Sequence, residues 1–221
     1  MSNEHRGAAR AATTHAAAPR SHDRPPARPA APGAWRERLD FLRGFLAHPQ
    51  QVGSVIPSSR ALEQRLVRRA RLEDARCVVE LGPGTGGTTR ALLRALAPQA
   101  QLLAIELGSD FAARLRATIG DPRLIVETGS AEDIGAYLAA HRLPAPAAIV
   151  SGIPFSTMPP ALADRIAAAV AAALAPGGRF VAYQVRAAVA GYATPHLGAP
   201  QAEWEWINIP PVRVFTWTRT A

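Results

Sequence analysis

The densest chemistry in the chain lies in the stretch Glu80-Leu81-Gly82-Pro83-Gly84-Thr85-Gly86-Gly87, which continues an apolar run begun at Cys77. Glycines at 82, 84 and 86 satisfy G-x-G-x-G. Those at 82, 84 and 87 equally satisfy G-x-G-x-x-G, the dinucleotide fingerprint. In both cases glycine lets the backbone come close to a ligand and tolerates positive φ. Glu80 separates the two readings. A loop built around a pyrophosphate gains nothing from a carboxylate two residues ahead of its first glycine. A ligand carrying a sulfonium and an ammonium group does gain from it. The loop therefore reads as a site for S-adenosylmethionine (SAM), with Glu80, Gly82, Gly84, Thr85 and Gly86 at the cofactor.

Glu106 ends a second apolar run, 24 residues after Gly82. A carboxylate there, with Leu107 beside it, suits both ribose hydroxyls of a nucleoside. After a third run, Gly129-Ser130-Ala131-Glu132-Asp133 falls where an adenine ring would lie. Ser130, Ala131 and Glu132 are expected there, and Glu132 or Asp133 could take the adenine amino group. Ser130 followed by acids also fits a helix cap. A fourth run ends in Ser151-Gly152-Ile153-Pro154-Phe155, a stiff aromatic turn. In-line methyl transfer needs an aligned lone pair about 3 Å from the carbon in a dry pocket. Ser151 Oγ and the carbonyls of the turn, Ile153 and Pro154 included, could hold an amine. The Phe155 ring could face a cationic nitrogen.

These residues need a scaffold. Strands are expected over 77–81, 102–107, 123–129, 147–152 and 179–185, with helices over 88–96, 110–119 and 161–174. That alternation implies an α/β fold with a parallel sheet covered on both faces. EWEWINI at 203–209 and VRVFTWT at 212–218 alternate like strands, and their short link implies an antiparallel hairpin at one edge. Ligands in such sheets bind outside the carboxyl ends of the strands, where the residues above stand.

Composition bounds the rest. The chain has 221 residues and no lysine, so all 25 cations are arginine against 17 acids. The net +8 is uneven: residues 1–76 hold 14 Arg and 7 acids (+7), and residues 77–221 hold 11 Arg and 10 acids (+1). A basic first third suits nucleic acid or an anionic membrane. The longest nearly apolar run, Ile166 to Leu174, has 9 residues. A spanning helix needs roughly 20, so no integral membrane span is expected. A single cysteine, Cys77, excludes an intramolecular disulfide and a cysteine-based zinc site; it reads as a small core residue, and no metal is expected.

Residues 1–34 lack any large aliphatic or aromatic side chain after Met1 and are expected to be a disordered Ala/Pro/Arg tail. No apolar stretch suited to a secretory signal occurs in it. WRERLDFLRGFLAHP, residues 35–49, reads as an amphipathic helix. Trp35, Leu39, Leu42 and Leu46 share one face, widened by Phe41 and Phe45 and flanked by Arg36, Arg38 and Arg43. An aromatic-aliphatic stripe edged by arginine suits a membrane interface; packing on the domain is the other reading.

From Cys77 onward the chain resembles class I SAM-dependent methyltransferases. Ser151 to Phe155 is similar to the Asn-Leu-Pro-Tyr type motif of N-methyltransferases such as the ribosomal RNA adenine dimethylases. FLRGFLAHPQQVGSVIPSSRALEQRLV, VSGIPFSTMP and INIPPVRVFTWTR resemble the N-terminal segment, catalytic turn and closing hairpin of bacterial soluble phospholipid N-methyltransferases. Those enzymes methylate phosphatidylethanolamine stepwise to phosphatidylcholine. The resemblance implies a Rossmann-like fold with a seven-stranded, mostly parallel sheet, a C-terminal antiparallel hairpin and an N-terminal amphipathic helix that binds anionic membranes. The expected division is 1–34 tail, 35–75 membrane helix and lid, and 76–221 SAM-dependent domain.

On this reading an aminophospholipid at an anionic membrane is the substrate, and the enzyme sits on the inner face of a bacterial cytoplasmic membrane. Val52 to Ser59 would close over the cofactor. Ser58 and Ser59 would bound the headgroup or cap a helix ending near Ala70, and Arg60 could pair with the lipid phosphate. Tyr183, His196 and that phosphate are the candidates for accepting the amine proton. The RNA dimethylases carry an Asn where this chain has Ser151, and a helical C-terminal domain where this sequence stops at its last strand, so nucleic acid is not the expected partner. An RNA N-methyltransferase and a non-catalytic lipid-binding scaffold are the alternatives.

Overall fold

The computed structural model describes residues 58–220. The membrane-helix candidates Trp35, Arg36, Arg38, Leu39, Leu42, Arg43 and Phe45, and lid residues 52–57, lie outside them. Seven strands form one sheet: β1 (Cys77–Leu81), β2 (Gln101–Glu106), β3 (Leu124–Thr128), β4 (Ala148–Ser151), β5 (Arg179–Gln184), β6 (Gln201–Glu205) and β7 (Val212–Thr218). Their order is β3-β2-β1-β4-β5-β7-β6. The first five pair in parallel, and β7 runs antiparallel to both β5 and β6.

The helices are α1 (Arg60–Ala70), α2 (Gly87–Ala95), α3 (Ser109–Thr118), α4 (Ile134–Ala140), α5 (Pro160–Ala173) and α6 (Ala188–Leu197). Ser59 caps α1 by accepting from the Leu62 amide at 3.2 Å. Pro160 occupies the first turn of α5, where a missing N–H is harmless. No helix among the described residues is long and apolar enough to cross a membrane.

Strand alternation splits the core in two. Val79, Leu81, Phe180, Phe215 and Trp217 pack with Ile134, Leu138, Ile166 and Val170 of α4 and α5. Val78, Val150, Val181 and Val214 pack with Leu62, Leu66 and Ala70 of α1 and Leu92 and Leu93 of α2. Cys77 is buried in the first cluster. All five residues of β1 are buried, as a central parallel strand requires.

The structure differs from expectation in three places. α4 and α6 had no counterpart in the sequence reading; α6 carries Gly191 and Pro195, both poor helix formers, and is held by buried Val189 and Ala193. β6 starts and stops earlier than 203–209 because the chain leaves the ladder at Glu205. There the Glu205 carboxylate accepts the Ile207 amide at 3.0 Å, and the Asn208 side chain donates to the Pro210 carbonyl at 2.9 Å.

Candidate active site

Strand order reverses between β1 and β4, which is where ligands enter a doubly wound sheet. Leu81 pairs with Ser151 across that switch point, and the Gly152 amide donates to the Leu81 carbonyl at 2.9 Å. The glycine loop and the Ser151–Phe155 turn, 70 residues apart by Leu81 to Ser151, are therefore neighbours. Gly82, Gly84 and Gly86 all have positive φ, and Gly86 caps α2 at φ 83. A Cβ at Gly84 would meet nothing within 4 Å, so the loop leaves open space. At Gly86 it would strike Leu115 at 2.7 Å. Thr85 is exposed on this loop.

Glu80 is buried at the end of β1, and its Oε2 has no hydrogen-bond partner. Burial pushes its carboxyl up to about 8, and the charge of Glu106 adds to the rise. The Thr89 hydroxyl beside it opposes the rise without reaching hydrogen-bond geometry. A buried carboxylate oxygen with no partner fits a cationic ligand. Glu106 ends β2 and accepts from the Gly84 amide at 3.0 Å and the Gly108 amide at 2.9 Å. Burial raises its carboxyl, opposed by the Gly108, Gly84 and Leu107 amides. Each oxygen keeps lone-pair capacity for a hydroxyl donor. Sulfonium, ammonium and ribose diol thus have matching groups on this chain.

Ser130 caps the turn Ala131–Asp133, accepting from the Glu132 amide at 3.3 Å. Glu132 pairs with Arg165 of α5. The capping reading of this segment is the geometry seen, and exposed Asp133 stays outside that pair.

The acceptor turn is built more tightly than its sequence suggests. Ser151 is fully buried, and its Oγ accepts from the Ile153 amide at 3.3 Å. The Ile153 carbonyl already accepts from the Phe155 amide at 3.0 Å and from Gln184 Nε2 at 2.6 Å. The Pro154 carbonyl accepts from the Thr157 amide and hydroxyl at 3.1 and 3.0 Å. Those carbonyls brace the turn, which corrects the expectation that they hold an amine. Phe155 is also corrected. The 3-10 turn Phe155–Thr157 tucks its ring into the core at 1% exposure, 6.3 Å from the Tyr192 ring of α6. It walls the site from within and is not an open cation platform.

Tyr183 reaches this turn from β5. A Cβ at Gly152 would lie 2.6 Å from its hydroxyl. Burial and the Glu80 charge push its phenol above the ordinary value, only partly offset by the Thr88 and Ser58 hydroxyls. The shift favours the protonated phenol, which does not suit a base. His196 lies on the outer helical layer, 3.4 Å from Asp164 of α5. Ser58 Oγ stands 3.4 Å from Thr88 Oγ1. Ser59 is occupied as the cap of α1, and its amide donates to Asn208 Oδ1 at 3.0 Å. Arg60 is exposed. Sequence reasoning missed Gln184, which reaches the turn through the fold, and Thr88, which directly follows the glycine loop.

The sheet order, the loop at the carboxyl end of β1 and the two carboxylates define a class I SAM-dependent methyltransferase. No protein-family model matches the chain. It is 33% identical over 141 residues to the ornithine lipid N-methyltransferase of Singulisphaera acidiphila, covering 63% of this chain and 73% of that enzyme. It is 38% identical over 95 residues to ribosomal RNA small subunit methyltransferase A of Laribacter hongkongensis, covering 40% of this chain but 34% of that enzyme. Among solved structures, the O-methyltransferase of Bacillus cereus bound to SAH aligns with a TM-score of 0.62 at 14% identity, over 86% of this chain and 93% of that one. TomG of Streptomyces achromogenes bound to SAM aligns at 0.59 with 20% identity, over 82% and 89%. The chain belongs to the class I SAM-dependent methyltransferases, in the family of the Singulisphaera lipid enzyme, and SAM is the cofactor of that class.

Proposed function

We propose that the protein methylates the amine of phosphatidylethanolamine, and of its mono- and dimethyl forms, toward phosphatidylcholine at an anionic membrane surface. The observation that carries this reading is the closed, polar acceptor turn at Ser151, set against Glu80 and Gly82 in a relative of a lipid N-methyltransferase. Bound SAM supplies a methyl group on a positively charged sulfur. Glu80 would hold its ammonium group, Glu106 its ribose hydroxyls, and the 82–86 loop would run beside its backbone-facing side.

The chain's own residues then do three things. Ser151 Oγ accepts one N–H of the primary or monomethyl amine and so aims the lone pair, whereas the neutral dimethyl amine carries no N–H and is held by the walls of the turn alone. Phe155 and Ile153 keep the pocket dry, which disfavours the ammonium form of the substrate and helps expel its proton. Tyr183 packs its hydroxyl against Gly152 and so bounds the turn. With Tyr183 protonated and His196 on the outer layer, the lipid phosphate is the acceptor of that proton that the sequence candidates leave. The RNA similarity covers about a third of the RNA enzyme, whereas the lipid similarity covers 73% of the lipid enzyme, which favours a lipid acceptor.

The test is Glu80→Ala and Ser151→Ala in an aminolipid methylation assay. Both are expected to lose activity while keeping the native fold by circular dichroism. Full activity in both would overturn the assignment.

A further inference from the structure

One end of the sheet carries apolar surface that no element among the described residues covers. Trp206, Ile207 and Ile209 are 67, 72 and 79% exposed, and Trp204 and Val185 are also exposed. They come from two places in the chain. Val185 follows β5, whose last residue Gln184 pairs with Arg213 at the start of β7. The others lie at the end of β6 and in the link to β7. β6 runs in the direction of β5, so this tip stands at the carboxyl end of the sheet with Glu80, Glu106 and Ser151.

Single exposed hydrophobics are ordinary, but a cluster of tryptophan and isoleucine at one end is a mark of an interaction surface. Its order is also unusual for an exposed link. Trp204 and Trp206 stack at 5.0 Å, and the Arg213 guanidinium lies 5.3 Å over the Trp204 ring. Asn208 ties the link to α1 through the Ser59 amide at 3.0 Å.

Charge identifies the occupant. Residues 206–211, WINIPP, carry no charge. The acids of β6 are spoken for: Glu203 pairs with Arg65 and Arg69 at 3.0 and 2.6 Å, and Glu205 with Arg65 at 2.7 Å. Among the described residues, cations that neighbour the tip include Arg60, next in the chain to Ser59, whose amide meets Asn208, Arg186, next to exposed Val185, Arg68, whose charge acts on Glu205, and Arg213, whose guanidinium lies over Trp204. A surface that receives inserted Trp and Ile side chains while meeting guanidinium groups at the same level is an anionic lipid interface. Tryptophan, apolar with one polar N–H, favours that level.

We propose that the β6–β7 tip is an interfacial anchor, with Trp206, Ile207 and Ile209 inserting among the lipid headgroups and Arg60, Arg186 and Arg213 facing lipid phosphates. The anchor turns the carboxyl ends of the strands toward the bilayer, so a headgroup meets the Ser151 turn at the surface. This deepens the proposed function and rests on it for the identity of the acceptor; the anchoring itself does not depend on turnover.

The experiment compares the full chain with Trp206→Ser/Ile207→Ser/Ile209→Ser in sedimentation with vesicles of phosphatidylglycerol and phosphatidylethanolamine. Partitioning is expected to weaken by about tenfold or more, with calorimetric SAM binding and the melting transition unchanged. In the wild type, brominated lipids are expected to quench fluorescence that Trp206→Phe removes, a readout that needs no folded triple variant. Equal sedimentation of variant and wild type, or no quenching assigned to Trp206, overturns the anchor. So does a wild-type dimer that the triple variant dissolves without a change in vesicle binding. If the wild type methylates no aminolipid while the triple variant still leaves the vesicles, the acceptor assignment falls and the anchor stands. If the triple variant binds and methylates as the wild type does, the reverse holds.

Discussion

Gln184 donates its side-chain amide to the Ile153 carbonyl at 2.6 Å, so the end of β5 fixes the shape of the turn that receives the acceptor. Its Oε1 is buried without a partner, which leaves one polar atom of this brace facing the interior. Replacing Gln184 with Leu removes the brace but touches neither Glu80 nor Glu106. Methyl transfer is expected to fall about tenfold to a hundredfold through misplacement of the turn. SAM affinity measured by calorimetry should stay as in the wild type. Unchanged turnover would show that the turn holds its shape alone.

Gly152 is fixed by contact and not by a positive φ. An added Cβ would lie 2.6 Å from Tyr183 Oη and 3.2 Å from the Gly82 carbonyl. Gly152→Ala is expected to destabilise by about 1–3 kcal/mol, as overpacking does, seen as a lower melting temperature. Adding Tyr183→Phe removes the hydroxyl and should recover part of the loss. No drop in the single variant would mean that Tyr183 swings away freely.

Glu80 makes both stability and cofactor binding depend on pH. Its carboxyl titrates at about 8 in the folded chain against an ordinary value of 4.5. Below pH 4.5 the group is protonated folded and unfolded, and nothing is lost. Between 4.5 and 8 only the unfolded chain releases the proton, so folding weakens as pH rises through that window. Glu80→Gln should therefore gain stability relative to wild type from pH 5 to pH 8 in thermal melts. A cationic ligand prefers the ionised form, so wild-type SAM affinity should rise toward pH 8 with proton release, whereas the variant binds weakly and nearly independently of pH. Calorimetry in buffers of different ionisation enthalpy reads that proton directly.

Arg65 supports Glu205, which is 2% exposed. Burial pushes the Glu205 carboxyl up, but the Ile207 amide and Arg65 outweigh it and hold it below the ordinary range. Arg65→Ala leaves a buried charge with its cation gone and should cost about 2 kcal/mol or more in denaturant midpoints near neutral pH. The difference should shrink as pH falls below the carboxylate range, because the lowered pKa contributes stability only while Glu205 is ionised. A further Glu205→Gln change should restore part of the stability.

The legible parts of the chain are those whose signal is local. β1 and β7 fall at 77–81 and 212–218, as their apolar runs and alternation require. The glycine loop and the strand-end acids Glu80 and Glu106 follow from spacing along 30 residues or fewer. Ser59 as a cap is likewise a local event. Contacts across the sheet were not legible. Gln184 meets Ile153 over 31 positions, and Arg69 meets Glu203 over 134. Such partners are chosen by strand order, which leaves no mark at either residue. Phe155 misled because an aromatic in a turn looks exposed until a helix, α6, is known to cover it. That helix itself was hidden by Gly191 and Pro195.

Methyl transfer to an aminolipid is the reaction proposed for this site. The direct measurement incubates the full chain with methyl-labelled SAM, mixed phosphatidylethanolamine and phosphatidylglycerol liposomes, and ribosomal RNA in one reaction, then separates the lipids by headgroup. Label is expected in mono- and dimethyl phosphatidylethanolamine and in phosphatidylcholine. Label confined to the RNA, or absent from every aminolipid while SAM still binds, would contradict that assignment.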